Sequence, residues 1–282
     1  MAKKRRIFIS ADIEGISGVS GKHLTSAKSH AWELGKSYMV EDVNAAIRGA
    51  RAAAPGSEIM VRDAHGGSDN IVLDKLEPGV RLISGWPPNS NMLEGLDKSF
   101  DACFFIGYHS RALVPGGVLS HTYDREVRRA LLNGVDVGET GINAFLAGGW
   151  GVPVVLATGD DKLKGEIRRL LPKTRVAVVK RGISRECCEM LPLAESRGLI
   201  EETAREAVLH LGEVPPLRPR NPVDFRVYLG FTDGLRCLEC LSDFRTKLSN
   251  GILEVRILGR TPFEIYDRFM ALLKLESASR EG

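Results

Sequence analysis

The sequence is poor in cysteine and has no long hydrophobic run. Five cysteines in 282 residues are too few and too scattered for a disulfide framework. Cys237 and Cys240 form a single CxxC without a second pair, which is typical of an incidental spacing. No apolar stretch approaches the roughly 20 residues of a membrane helix, and the apolar run behind the basic MAKKRR start is too short for a signal peptide. We therefore expect a cytoplasmic protein with no membrane partner.

The sequence also lacks a large excess of charge of either sign. The formal net charge is +3 and the basic residues are spread along the chain, so no nucleic-acid partner is expected. Neither a GxxxxGKS/T motif nor a GxGxxG between a strand and a helix is present, which argues against a nucleotide-binding enzyme. A chain of this length is nevertheless long enough to bury a substantial core.

What the sequence does contain is an alternation of short apolar strands and amphipathic helices up to about residue 212. This alternation predicts an α/β fold with a mixed, mostly parallel sheet flanked by helices. The proline-rich stretch Pro215–Pro222 predicts a linker. We therefore expect an α/β core over residues 1–212 and a smaller α+β C-terminal segment over residues 213–282, which either stands apart or packs into the same domain. Further predictions are helical turns over Asn91–Lys98 and a helix from Ser184 to about Leu211 with a break near Pro192.

Acidic and histidine side chains directly follow three of the predicted strands. SADIEGISG places Asp12 and Glu14 after the first strand. Residues two apart on an extended chain point to the same side, so both carboxylates can converge on one point. RDAHGG places His65 after the second strand, and FFIGYH places His109 after a later one. Because the carboxyl ends of parallel strands line one edge of a sheet, we expect these side chains to meet there.

Two further side chains complete the candidate set. His121 lies in a glycine-rich loop, and Glu139 lies at the start of a predicted helix. Each candidate has an ordinary structural explanation, such as a turn, a helix cap or a hydrogen-bonded core histidine, but their joint occurrence at one edge favours a metal site. Imidazole together with carboxylate suits Zn, Mn, Co or Fe(II). Six candidate groups exceed the need of one four-coordinate ion, which indicates a pair of ions and metal-dependent hydrolysis.

Two other functions stay open from the residues alone. A metal-dependent phosphoesterase would need basic groups beside the site, and Arg62, Arg111 and Arg125 lie near the motifs. A non-enzymatic peptide- or metal-binding assembly protein would hold metal on the same scaffold without turnover. Asn143 shares a helix face with Glu139 and either serves the site or makes a structural contact.

A series of short motifs runs through the first two thirds of the chain. They are SADIEGISG, RDAHGG, LISG, NMLEGLD, FFIGYHSRA, PGGVLSHT, VGETGINAF, GVPVVLATGDD and GISR, over roughly residues 6–190. In this order they resemble the zinc D-aminopeptidase family of the bacterial dipeptide operon. The resemblance implies a peptidase with two Zn²⁺ ions per subunit that removes an N-terminal D-amino acid, typically D-alanine, from short peptides. It also implies a homo-oligomer in the form of a decameric ring.

The same resemblance carries site roles onto this sequence. The family's zinc ligands fall on Asp12, Glu14, His65, His109 and Glu139, with Asp12 bridging the two ions. The family's catalytic histidine falls on His121, which can serve as general base, general acid or, less economically, nucleophile. The match weakens after about residue 200, so it assigns no substrate-binding residue in that part of the chain.

Overall fold

A seven-stranded sheet forms the central layer of the computed structural model, which describes residues 4–86, 92–218, 221–231 and 233–281. In spatial order its strands are β3 (Arg81–Ile83), β2 (Glu58–Asp63), β1 (Arg6–Ala11), β4 (Ala102–Ile106), β7 (Val154–Asp160), β8 (Arg175–Ser184) and β9 (Cys187–Met190). All neighbouring strands are parallel except β8 and β9, which are antiparallel. The prediction of a mixed, mostly parallel sheet is confirmed.

Helices cover both faces of this sheet. They are α1 (Trp32–Ala53), α2 (Glu139–Gly149), α3 (Asp161–Leu170), α4 (Leu193–Leu209) and α5 (Pro262–Glu281). Helix α1 buries Met39, Val43 and Ile47 at helical spacing, and it packs with α4 over one hydrophobic cluster. Asp160 is the N-cap of helix α3, because its carboxylate accepts a hydrogen bond from the N–H of Leu163 at 2.8 Å. The other hydrophobic cluster contains α2 and α5.

A second, antiparallel sheet of five strands lies in this other cluster. Its spatial order is β11 (Phe244–Ser249), β12 (Ile252–Ile257), β10 (Phe225–Gly230), β5 (Val127–Leu132) and β6 (Val135–Asp136). Strands β5 and β6 precede residue 212, whereas the other three follow it. Because β10 pairs with β5, one sheet joins the two parts of the chain that the sequence divides at that residue. The division at residue 212 stays a prediction.

One prediction of secondary structure is wrong. The segment from Ser184 to Leu211 is not one interrupted helix, because Cys187–Met190 forms strand β9 and α4 begins only at Leu193. Pairing with the edge of β8 outweighs the local helical pattern of these few residues. In the predicted turns over Asn91–Lys98, Asn91 lies outside the described residues, and so do Pro219 and Arg220 of the predicted linker. None of the described helices is both long and apolar enough to cross a membrane.

Candidate metal centre

The residues that follow β1, β2 and β4 meet at the carboxyl edge of the central sheet. Strand β1 lies between the other two strands, so its carboxylates reach a histidine on either side. Nδ1 of His65 lies 3.2 Å from Oδ1 of Asp12 and 3.0 Å from Oε2 of Glu14. Nε2 of His109 lies 3.5 Å from the other oxygen of Asp12, Oδ2. The geometry therefore brings together all four side chains that the strand pattern predicts at this edge.

Two glycines permit this close approach. The loop after β1 crosses the loop after β4, and the N–H of Gly15 donates to the carbonyl of Gly107 at 2.7 Å. A Cβ at Gly15 would lie 1.9 Å from the carbonyl oxygen of Tyr108. Gly107 has a φ of +73°, and a Cβ there would lie 2.1 Å from the carbonyl oxygen of Asp12. Any larger residue at either position would push the two loops apart.

His121 and Glu139 reach the same point from other parts of the chain. Oε1 of Glu139 lies 3.4 Å from Nε2 of His109 and 3.6 Å from Nε2 of His121. The two imidazole rings stack, with centroids 4.2 Å apart. Glu139 is the first residue of α2, where the helix dipole favours a negative charge, and it accepts a hydrogen bond from the N–H of Tyr123 at 2.6 Å. All six candidates thus form one cluster.

Each of the three histidines has one ring nitrogen beside a backbone carbonyl. Nδ1 of His109 lies 3.0 Å from the carbonyl of Ser110, Nδ1 of His121 lies 2.9 Å from that of Leu119, and Nε2 of His65 lies 2.9 Å from that of Thr25. A carbonyl only accepts, so each of these nitrogens carries the proton of the neutral ring. The other nitrogen of each ring faces the carboxylates, and it offers a lone pair to a cation whenever no proton occupies it. This arrangement of the histidines is typical of metal ligation.

Burial and mutual charge strongly shift the ionisation of the cluster. Burial and the charge of Glu14 raise the pKa of Asp12 to about 7. Burial favours a higher pKa for Glu14 too, but the charge and hydrogen bond of His65 outweigh it and hold that pKa well below its usual range. Burial opposes the charge of His109, yet Glu139 and Asp12 raise its pKa to about 10. Carboxylates this close need protons or cations between them.

The cluster also contains buried polar atoms that no described group satisfies. Oδ2 of Asp12, Oε2 of Glu14 and Nε2 of His109 have no hydrogen-bond partner of good geometry among the described residues. Such an atom costs about 1–3 kcal/mol when it stays unpaired. Two groups, Asp12–Glu14–His109 and His109–His121–Glu139, each offer ligand atoms within 4.8 Å of one another. These residues therefore fit divalent cations that accept nitrogen and oxygen ligands, such as zinc.

A cleft of about 480 Å³ opens onto the cluster. Asp12, His65, His121 and Glu139 line its floor. Opposite them lies one face of α5, whose contributing residues recur at helical spacing: Met270, Leu273, Lys274 and Ser277. The sequence does not indicate this wall, because α5 is more than 120 residues away from Glu139 along the chain and carries no recognisable motif.

The burial of one lysine could not be predicted from the sequence either. Lys180 on β8 is 2 % exposed, and its ammonium donates to the carbonyls of Glu14, Ile16 and Val19 at 2.6, 2.9 and 2.6 Å. It thereby holds the loop that carries Glu14. The only sequence signal is a lysine at the end of an apolar strand, which is also typical of a solvated strand end.

Two polar residues next to the motifs, Asp63 and Asn143, have structural contacts. Asp63 accepts hydrogen bonds from the backbone N–H groups of Asn70 and Ile71, so it shapes the loop after His65. Asn143 is fully buried and accepts a hydrogen bond from the hydroxyl of Tyr123 at 2.7 Å. Cys237 and Cys240 are exposed free thiols outside the cluster.

A mostly parallel α/β sheet that gathers histidines and carboxylates at its carboxyl edge defines a class, the metal-dependent enzymes of the α/β type. Residues 5–245 match the model of a peptidase family described as D-aminopeptidase. The chain belongs to this family of peptidases, as the order of its motifs predicts.

A sequence relative and a solved structure agree with this assignment. The chain is 33 % identical over 275 residues to a D-aminopeptidase of Bacillus subtilis, covering 96 % of this chain and 97 % of that protein. Among solved structures it is similar to the Zn-dependent D-aminopeptidase DppA from Bacillus subtilis, described as a self-compartmentalizing protease. The TM-score is 0.89 at 31 % identity, over 96 % of this chain and 98 % of the other. The similarity therefore spans both sheets.

Proposed function

We propose that the protein is a binuclear zinc aminopeptidase that removes an N-terminal D-amino acid, D-alanine above all, from short peptides. Membership of the D-aminopeptidase family supports the reaction, and the zinc dependence of the solved relative supports the metal. The observation that carries the proposal is the orientation of the three histidines. Each turns one ring nitrogen toward buried carboxylates while a backbone carbonyl holds its other nitrogen.

The cluster divides into two halves that share Asp12. Its Oδ1 faces His65, beside Glu14, whereas its Oδ2 faces His109, beside Glu139. In this proposal each half would hold one zinc ion, and Asp12 would be a ligand in both halves. The bound metal would supply polarisation of the scissile carbonyl and a water whose pKa is lowered toward neutrality.

His121 supplies the proton transfers. It is the most exposed of the three histidines, with 22 % of its side chain accessible, and it lines the cleft. Because Nδ1 donates to the carbonyl of Leu119, Nε2 is the atom that takes a proton and later gives it to the leaving amine. Burial and then the charge of His109 lower the pKa of His121, which keeps the ring neutral and ready to accept.

A matched pair of peptides tests the reaction. Zinc-reconstituted protein is incubated with D-Ala-Gly-Gly or L-Ala-Gly-Gly, and the released alanine is measured with and without a chelator. We expect release from the D peptide alone and its loss on chelation. Release from the L peptide would overturn the stereochemistry, and hydrolysis of p-nitrophenyl phosphate alone would favour a phosphoesterase. A metal-replete protein without either activity would favour a binding protein.

Replacing His121 tests its role. His121→Ala should keep both zinc ions and lower turnover by about 10²- to 10⁴-fold, the contribution of a positioned acid or base. His210→Ala is the control, because His210 lies at the exposed end of α4 beside Glu206 and Glu213. Zinc is counted by elemental analysis. A zinc-depleted His121→Ala protein would show instead that His121 is a ligand.

The assembly is proposed as well. The solved relative is described as self-compartmentalizing, which supports a homo-oligomer for this chain, and we propose a decameric ring. Light scattering of the purified protein should give about ten times the subunit mass of 30.9 kDa. A mass equal to that of one subunit would contradict the ring.

A further inference from the structure

A second cavity, of about 470 Å³, lies on the other side of His121. Four of its lining residues are basic: Lys22, Arg125, Arg128 and Arg185. No aspartate or glutamate is among the described residues that line it. We call this space the basic cavity. His121 is the one described residue that lines both the basic cavity and the metal cleft.

The positive charge of the basic cavity is only partly neutralised. Arg128 has an ion pair with Glu126 at 3.4 Å. Among the described residues, neither Lys22 nor Arg125 forms an ion pair, and the guanidinium of Arg185 donates to the carbonyl of Ser120 rather than to an acid. The cavity therefore carries a positive potential that attracts an anion.

The two spaces differ in the charge they offer to a peptide. The metal cleft is lined by acidic and basic side chains, Asp12, Glu139 and Asp124 beside Arg62 and Lys274, whereas all the charged side chains among the described residues that line the basic cavity are basic. A peptide carries a positive amine at one end and a negative carboxylate at the other. Electrostatics therefore favours the carboxylate in the basic cavity, which leaves the amine on the side of the metal cleft and the scissile bond beside His121.

This orientation agrees with the chemistry proposed for His121. A group that protonates the leaving amine must lie on the side of the leaving peptide. Arg185 is anchored on that side, since it contacts the carbonyl of Ser120, the residue directly before His121. A second bond joins the N–H of Leu119 to the carbonyl of Arg185 at 2.8 Å. An extended residue spans at most about 3.6 Å, so two residues beyond the scissile bond reach about 7 Å into the cavity.

We propose that the basic cavity binds the free C-terminal carboxylate of the substrate and so selects di- and tripeptides. This inference rests on the proposed aminopeptidase function and adds the subsite that recognises the leaving peptide. A longer peptide would have to carry its carboxylate past the cavity and would lose this contact.

The test compares D-Ala-Gly-Gly with its C-terminal amide on the zinc-loaded enzyme. We expect a KM about tenfold higher for the amide at low salt, because several partly exposed cations each contribute a modest, screened attraction. The difference should shrink in 0.5 M NaCl. Calorimetry gives a readout without turnover, since the product Gly-Gly should bind about tenfold more tightly than Gly-Gly amide.

Neutralising the two cations without ion-pair partners assigns the effect to the cavity. In the double variant Lys22→Gln, Arg125→Gln the KM ratio of amide to acid should fall to about one. The double variant Lys164→Gln, Arg168→Gln removes the same charge from α3, away from both spaces, and should keep the wild-type ratio.

Three results would overturn the inference. Equal KM values for acid and amide, with alanine released from both, would remove the carboxylate subsite and leave the peptidase intact. A ratio lost in Lys274→Gln but kept in the Lys22, Arg125 variant would place the carboxylate in the metal cleft. A changed oligomeric mass of that variant with an unchanged ratio would make the cavity a subunit contact. Failure to cleave any D peptide would instead overturn the proposed function itself.

Discussion

The metal cleft has two walls that are built in different ways. One wall is the carboxyl edge of the central sheet, where Asp12, His109 and Glu139 are 3 %, 2 % and 4 % exposed and are oriented by backbone hydrogen bonds. The opposite wall is the face of α5 that carries Met270, Leu273, Lys274 and Ser277. Lys274 and Ser277 on this face are exposed to solvent. The first wall offers charged ligand atoms, whereas the second offers two apolar side chains, a lysine and a serine.

This difference in construction indicates that the two walls have separate roles. Buried polar groups tolerate no displacement, because each must keep its partner, so the sheet edge suits a cation site. A helix face is fixed mainly by packing, and Phe269 of α5 rests edge-on against Tyr123 beside Glu139. Such a surface can vary in shape without disturbing the charges opposite. We therefore expect the sheet edge to govern metal binding and turnover, and α5 to govern substrate preference.

The largest effect should follow from a change at the sheet edge itself. Asp12→Asn keeps the shape of the side chain and an oxygen for the N–H of Ile13, which Oδ1 accepts at 2.9 Å. It removes the charge that faces His65 and His109, so both zinc ions should be lost. Turnover should fall by about 10³-fold or more, since metal catalysis supplies several kcal/mol. Elemental analysis and alanine release measure the two results.

Asp74→Asn serves as the control, because Asp74 is exposed on a short helical turn and belongs neither to the cluster nor to the lining of the cleft. It should keep full zinc content and activity. One tightly held ion in Asp12→Asn would count against a bridging role and would make the two halves of the cluster independent.

The sheet edge is also the part that sequence predicts well. Asp12, Glu14, His65 and His109 directly follow apolar strands, and parallel strands end at one edge, so local pattern and topology together predict the cluster. The prediction needs no knowledge of side-chain contacts. Glu139 can be predicted in a similar way, because the sequence indicates both the turn before it and the helix that begins with it.

The α5 wall could not be predicted in this way. Its position depends on packing against α2 and β12, and on the pairing of β10 with β5 across almost 100 residues. None of these long-range contacts leaves a local pattern. The same holds for Lys180, whose three acceptors lie about 160 residues earlier in the chain.

Lys180 offers an intermediate test, because it supports the sheet edge without touching the cleft. Lys180→Met leaves three buried carbonyls without their donor, at about 1–3 kcal/mol each, so the free energy of unfolding should fall. The loop that carries Glu14 should also loosen, and zinc affinity should fall by roughly 10- to 100-fold, as for other residues that orient ligands. Thermal unfolding with and without zinc separates the two effects.

If Lys180 has only a structural role, Lys180→Met should lower the melting temperature equally with and without zinc. If Lys180 positions the loop that carries Glu14, the substitution should also reduce the stabilisation by zinc. Lys180→Arg restores a charged donor and should recover part of that stabilisation. Lys162→Met is the matched control, since Lys162 pairs with Asp161 at the surface of α3. If zinc stabilises Lys180→Met as much as the unsubstituted protein, Lys180 contributes only to the stability of the core.

The smallest effect should come from the α5 wall. Leu273 and Leu275 both pack against the hydrophobic cluster, but only Leu273 of the two lines the cleft. Leu273→Ala should raise KM for D-Leu-Gly-Gly by about three- to tenfold, the value of a partly buried leucine contact. It should leave zinc content and turnover at saturation intact, because no charged group moves. Leu275→Ala should lower stability by a similar amount, with KM unchanged. Equal KM effects from both variants would mean that α5 acts through stability alone, and the two walls would then have no separate roles.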